Sequence, residues 1–168
     1  MATPTSLPAT FVAGNVLTAA QMNNLRGAFR VIQIVRATDA TLRSTTSTSF
    51  VDGNISVTIT PTSATSDVLL VWVFNHDATN TGSANTRAQY QITDSSNVAI
   101  SGAEGMLNGL VGSTLRTQHG QMLIGYDSPA TISATTYKGR FRAFEASQTA
   151  SLLNDKSTGQ LFALEISA

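Results

Sequence analysis

The chain is 168 residues long, with 12% charged and 42% hydrophobic side chains and no cysteine. That length and balance suit one well-buried domain and exclude a disulfide framework, a thiol nucleophile and a thiolate metal site. Ten basic and ten acidic residues cancel to a formal net charge of zero, so no global field draws in nucleic acid or an anionic membrane, and neither is expected as a partner.

Residues 1–17 hold Pro4, Pro8 and Gly14 among threonines, which predicts an extended arm that takes its shape from whatever it lies on. Met1 to Pro8 has no basic residue and no apolar core of signal-peptide length. Nowhere does an apolar run approach a membrane span, so neither Sec-type export nor a membrane anchor is expected. Thr18 is placed to cap a helix running to about Phe29, in which Ala19, Met22, Leu25 and Phe29 share one face while Gln21, Asn23, Asn24 and Arg26 look outward. A lone helix this short does not hold itself up in water. Its stripe therefore needs a surface, which the chain's own body, symmetry mates or a larger particle would supply. Arg26, Arg30, Arg36 and Arg43 stand against Asp39 alone in residues 1–43, so the leader is basic and the remainder acidic. Residues 1–30 are read as an attachment arm and helix, and 31–168 as the body.

From Val31 the period changes to two or to short apolar runs. Strands are predicted near 31–38, 48–52, 54–60, 67–75, 85–93, 97–101, 118–126, 135–145 and 160–167, separated by turn signals such as Asp52-Gly53-Asn54 and Asp127 through Pro129. The abundant serine and threonine suit solvent-facing strand positions and polar turns. Ile55, Val57 and Ile59 alternate with Ser56, Thr58 and Thr60 like a half-exposed strand. Val68 to Phe74 is apolar on both parities, like a central strand covered on both sides. Ser101 to Ser113 carries Gly102, Gly105, Gly109 and Gly112, which predicts a loop approaching another backbone, either over the end of the body or under a neighbouring subunit. The fold class is all-β: a jelly-roll-like two-sheet antiparallel sandwich preceded by an extended arm and one short α-helix.

Chemistry-bearing constellations are sparse. His76 adjoins Asp77, but neighbours on a strand point to opposite faces, so His76 is read as a strand-end histidine bonded in a turn. His119 has no motif around it. No Gly-x-Ser-x-Gly elbow is present, Asp94-Ser95-Ser96-Asn97 lacks the glycine and glutamate of a calcium loop, and the glycines at 102–112 lack a phosphate-loop lysine. The scattered acids form no pair suited to cleaving sugars. No catalytic residue, metal or cofactor is expected. In Tyr137 to Phe144, alternation sets Lys138, Arg140 and Arg142 on one face, opposite Tyr137 and Phe141. That face is either a solvated or inter-subunit cationic surface or one that meets phosphate, sulphate or an acidic sugar. Trp72, within the most apolar strand, is expected in the core.

The pattern Thr10-Phe-x-Ala-Gly-x-Val-Leu-Thr-Ala-x-x-Met-Asn-x-Leu25 resembles the N-terminal attachment segment of small structural proteins of tailed bacteriophages. Val31-Ile-Gln-Ile-Val35, Ser47-Thr-Ser-Phe-Val-Asp52 and Ile59-Thr-Pro-Thr-Ser63 are similar to the β-rich body that follows it. The resemblance implies a minor tail, tail-fibre or head-decoration component at the virion surface, assembled in the host cytoplasm. It also implies a homotrimer with other virion proteins as partners. Phe11, Val12, Val16, Leu17, Met22, Leu25 and Phe29 would anchor such a knob to capsid or tail, each burial stabilising by about 1.5–3 kcal/mol. The alternative is a receptor-binding tip whose loops at 76–86, 101–117 and 146–159 take a host cell-surface glycan or protein.

Overall fold

Strands form here because apolar side chains recur at every second position, so that each strand has one face to bury. The computed structural model describes residues 31–81, 85–111 and 116–167, together with Gly14, Val16, Thr18 and Ala19. The helix expected from Thr18 to Phe29 lies outside the described residues apart from its first two. The described elements are all strands: β1 Val31–Asp39, β2 Arg43–Thr45, β3 Val51–Ile59, β4 Asp67–Asn80, β5 Asn85–Asp94, β6 Ala99–Val111, β7 Arg116–Asp127, β8 Thr135–Ala143, β9 Gln148–Leu152 and β10 Gly159–Ile166.

They build two antiparallel sheets. The first runs β1-β10-β4-β9-β2, with β7 along the other edge of β4, and the second runs β3-β8-β5-β6. β4 is the spine of the first sheet. Its residues 67–73 pair with β10 and its residues 76–80 with β9, so two shorter strands follow each other along one edge. The pairs β1–β10, β3–β8, β4–β7 and β5–β6 are nested one inside another. Between the sheets lie Ile55, Val57 and Ile59 of β3, Leu70, Trp72 and Phe74 of β4, Tyr90 and Ile92 of β5, Tyr137 and Phe141 of β8, and Leu161 of β10, all buried. At one edge of the sandwich β6 closes on β7. A methyl group at Gly125 would lie 2.8 Å from Ala103 Cβ, and one at Gly105 would lie 2.6 Å from Leu123 Cδ2.

Several expectations are corrected. The segments 48–52 and 54–60 are not two strands: β3 is continuous across Asp52-Gly53-Asn54, where its register with β8 shifts. Asn54 takes φ +54° there and its amide donates to Asp52 Oδ1 at 2.8 Å, so the turn signal encodes a bulge. The glycine-rich stretch is strand β6 through Val111 rather than a loop, and Gly105 within it admits the close approach of Leu123 on β7. β2 and β9 were not foreseen, and strand occupies much of 76–86, 101–117 and 146–159. β4 extends to Asn80, which puts His76 inside a strand rather than in a turn. Only one face of β4 is fully buried, since Leu69 and Val71 are half-buried and Val73 is exposed.

Candidate interaction surfaces

The outer face of the β3-β8-β5-β6 sheet carries the cations. Because Tyr137 and Phe141 fill the core, the two-residue period turns Lys138, Arg140 and Arg142 outward. All three find partners within the chain. Lys138 Nζ donates to Asn97 Oδ1 at 2.9 Å, and Arg140 Nη2 donates to the Phe50 carbonyl at 2.6 Å. Arg142 donates through Nε to Gln89 Oε1 at 2.7 Å and through Nη1 to the Thr48 carbonyl at 2.8 Å, with its guanidinium 4.9 Å from the centre of the Phe50 ring. The two arginines thus staple the lead into β3 onto the sheet. Arg142 also borders a cleft of about 360 Å³, lined besides by Phe50, Gln89, Gln91, Glu104 and Met106. One guanidinium, one carboxylate, two amides and an aromatic ring make a mixed polar lining without an excess of positive charge. Gln89, Gln91 and Glu104 were missed at the sequence level because they enter from β5 and β6, and pairing register is not encoded locally.

Inside the sandwich, His76 is 1% exposed, with its ring 4.8 Å from that of Tyr90 and 5.8 Å from that of Phe74. His119 stands opposite it on β7, with ring centres 6.3 Å apart. Neither His76 nitrogen has a hydrogen-bond partner. Burial, assisted by His119, pushes its pKa down to about 4, so the ring is neutral at pH 7. Asp77 turns away to Arg116, whose Nε lies 3.0 Å from both carboxylate oxygens. His76 and Asp77 therefore do not converge. Among the described residues, no group of three His, Asp or Glu side chains is placed to hold a metal ion.

The outer face of the first sheet carries apolar side chains on four strands. Cross-strand register aligns Ile34, Leu164, Leu69 and Tyr126 in one row. The next row is Arg36, Phe162, Val71 and Ile124, and the third is Thr38, Gln160, Val73 and Met122. Ile34 at one edge is 61% exposed and Met122 at the other 56%. The Tyr126 hydroxyl donates to Asp67, which leaves its ring on the face. Arg36 is the one charge in the three rows. Of the anchoring set, Val16 is 89% exposed, and Phe11, Val12, Leu17, Met22, Leu25 and Phe29 lie outside the described residues.

No protein-family model and no curated protein matches the chain. Among solved structures, the chain is similar to the tripod from the baseplate of bacteriophage Tuc2009, at 13% identity over 98% of this chain and 77% of that one, with a TM-score of 0.36. It is also similar to the enzymatically active domain of tailspike protein 4 of bacteriophage CBA120, at 12% identity over 80% of this chain and 20% of that one, with a TM-score of 0.27.

Proposed function

We propose that this protein is a non-enzymatic structural component of a tailed-phage particle, a homotrimeric jelly-roll knob at the virion surface held to capsid or tail by its N-terminal arm. The observation that carries the reading is the contrast between body and arm. The body closes its core with its own strands, whereas Val16, the described member of the anchoring set, finds no cover on that body. The Thr10 to Leu25 pattern and its resemblance to phage attachment segments supply the kind of assembly. The nesting of the pairs β1–β10, β3–β8, β4–β7 and β5–β6 supports the jelly-roll reading.

The mechanism is burial. Apolar arm residues exchange water for a protein surface, and threefold repetition converts modest single contacts into lasting attachment. Deleting residues 1–30 is expected to leave a body that unfolds cooperatively but no longer cosediments with particles lacking the protein. Attachment retained by the truncated chain would refute the arm's role.

The cleft beside Arg142 favours a second reading, host recognition through a cell-surface glycan. Amides, a carboxylate and a guanidinium beside the Phe50 ring match the hydroxyl groups and apolar faces of a sugar. Fluorescent protein should then adsorb to host cells and be displaced by excess unlabelled protein, and Arg142→Ala should weaken the adsorption. Absence of binding at micromolar concentration counts against it.

A further inference from the structure

We propose that His76 and His119 together bind a divalent transition-metal ion of the class that imidazole favours, copper, nickel or zinc, and that the ion clasps β7 to the spine of its sheet.

Register places the two residues directly opposite each other on antiparallel neighbours, His76 in β4 and His119 in β7, and side chains so opposed share one face of the sheet. That face is the inner one, because Phe74 and Ala78, two positions to either side of His76, are buried in the core. The ring centres are 6.3 Å apart. A metal–nitrogen bond of about 2.0–2.1 Å sets an ion about 3.2 Å from an imidazole centre, so two imidazoles on one ion have centres at most about 6.4 Å apart. The observed separation lies within that reach.

His76 is 1% exposed and neither of its nitrogens has a partner in the chain; the hydroxyl of Tyr90, whose ring lies 4.8 Å away, is buried without one as well. Folded chains bury few polar atoms in this condition, and those they do bury point to water or an ion from outside the chain. What favours an ion is the second imidazole. His119 comes close without hydrogen-bonding to His76, and a pair of imidazole nitrogens is a ligand set for copper, nickel or zinc. His119 is exposed, which gives the ion an entry path and the ring freedom to turn toward it. No third His, Asp or Glu among the described residues joins the pair, so water fills the remaining positions and the ion is held less tightly than in a closed four-ligand site. In its sheet β7 pairs with β4 alone. An ion shared by the two histidines adds a side-chain link to that single ladder, and by binding the folded chain it raises stability.

The full-length chain, stripped of metal with EDTA and desalted, is titrated at neutral pH with zinc chloride and, separately, with copper(II) chloride. Calorimetry and thermal unfolding follow the binding. The expected result is one ion per chain, an unfolding temperature that rises with metal concentration, and two imidazole nitrogens in the electron paramagnetic resonance spectrum of the copper form. His119→Ala, at an exposed position, should unfold at the parent's temperature without metal, bind at least about tenfold more weakly and lose the metal-dependent rise. His76→Leu should bind as weakly. Equal binding by the parent and His119→Ala overturns the inference, because the ion then sits elsewhere. Binding lost in His119→Ala but kept in His76→Leu overturns it too, since an exposed histidine then acts alone. If His76→Leu does not fold, the copper spectrum of the parent decides: two imidazole nitrogens support the site and one overturns it. Neither heat nor a shift in unfolding temperature at about a hundredfold excess of either ion over protein also overturns it and leaves the buried nitrogens to water.

Discussion

The Trp72 indole lies over Gly139 across the sandwich, close enough that a methyl group on that glycine would stand 2.8 Å from Trp72 Cζ2 and 2.8 Å from Ile55 Cγ2. The missing side chain on β8 is the slot that the largest side chain of β4 fills. Gly139→Ala is therefore expected to destabilise the body by about 1–3 kcal/mol through overpacking, more than the gain from a stiffer unfolded chain. Urea unfolding would show a lower midpoint at unchanged slope. A midpoint that stays or rises would mean that the indole has room to shift.

His76 makes stability depend on pH. Its folded pKa of about 4 lies below the ordinary 6.5 because of burial and then His119, so between those values the unfolded chain takes up a proton that the folded chain refuses. The stabilisation is complete above pH 6.5 and declines as pH falls toward 4, by on the order of 3 kcal/mol. His76→Leu should flatten that part of the stability profile and change neutral stability little, since neither ring nitrogen gives up a hydrogen bond. A variant whose slope between pH 6.5 and 4 matches the parent would contradict the assignment.

Glu165 acts in a lower window. Burial works to raise its pKa, but hydrogen bonds from Gln33, Ser66 and Thr62 outweigh it and hold the carboxyl down to about 2. Its Oε1 accepts from both the amide and the hydroxyl of Thr62 at 2.7 Å, and its Oε2 from Gln33 at 2.7 Å, which ties the segment after β3 to β1 and β10. This stabilisation is present above pH 4.5 and is lost as pH falls from there toward 2. Glu165→Gln should cost about 1.5–3 kcal/mol at neutral pH, the worth of hydrogen bonds to a charged group, and weaken the dependence below pH 4.5. Full stability at pH 7 in that variant would show the bonds to be replaceable by an amide.

Arg142 holds the lead into β3 through the Thr48 carbonyl and the Phe50 ring. In Arg142→Ala, amide exchange across residues 48–51 should quicken while exchange in β4 and β10 stays as in the parent. Unchanged exchange at 48–51 would assign the staple to Arg140 alone.

Much of this architecture could be read from single residues. Ile55, Val57 and Ile59 alternate with polar neighbours and are buried; Tyr137 and Phe141 likewise separate from Lys138, Arg140 and Arg142. What escaped depends on contacts distant in sequence. Gly105 is a strand residue because β7 comes close to β6, and nothing within residues 101–113 announces β7. Gln148 to Leu152 shows no period of its own and becomes β9 by continuing the edge of β4 that β10 leaves. The apolar run of β4 was read as covered on both sides, yet Leu69, Val71 and Val73 face outward in the single chain. Such a run shows that both faces avoid water, not what covers the second one. The cationic face was legible by alternation, but the cleft beside Arg142 was not, because Gln89 and Glu104 meet it only through strand pairing.

Attachment by burial of the opening segment is tested most directly by electron microscopy of particles bearing a gold label at the C-terminus of this protein. The native chain is compared with a full-length variant carrying Leu17→Ser, Met22→Ser and Phe29→Ser. Gold at fixed sites on particles with the native chain, and its loss with the variant, is the expected result. Equal labelling with both chains, or particles bare of gold with the native chain, would contradict it.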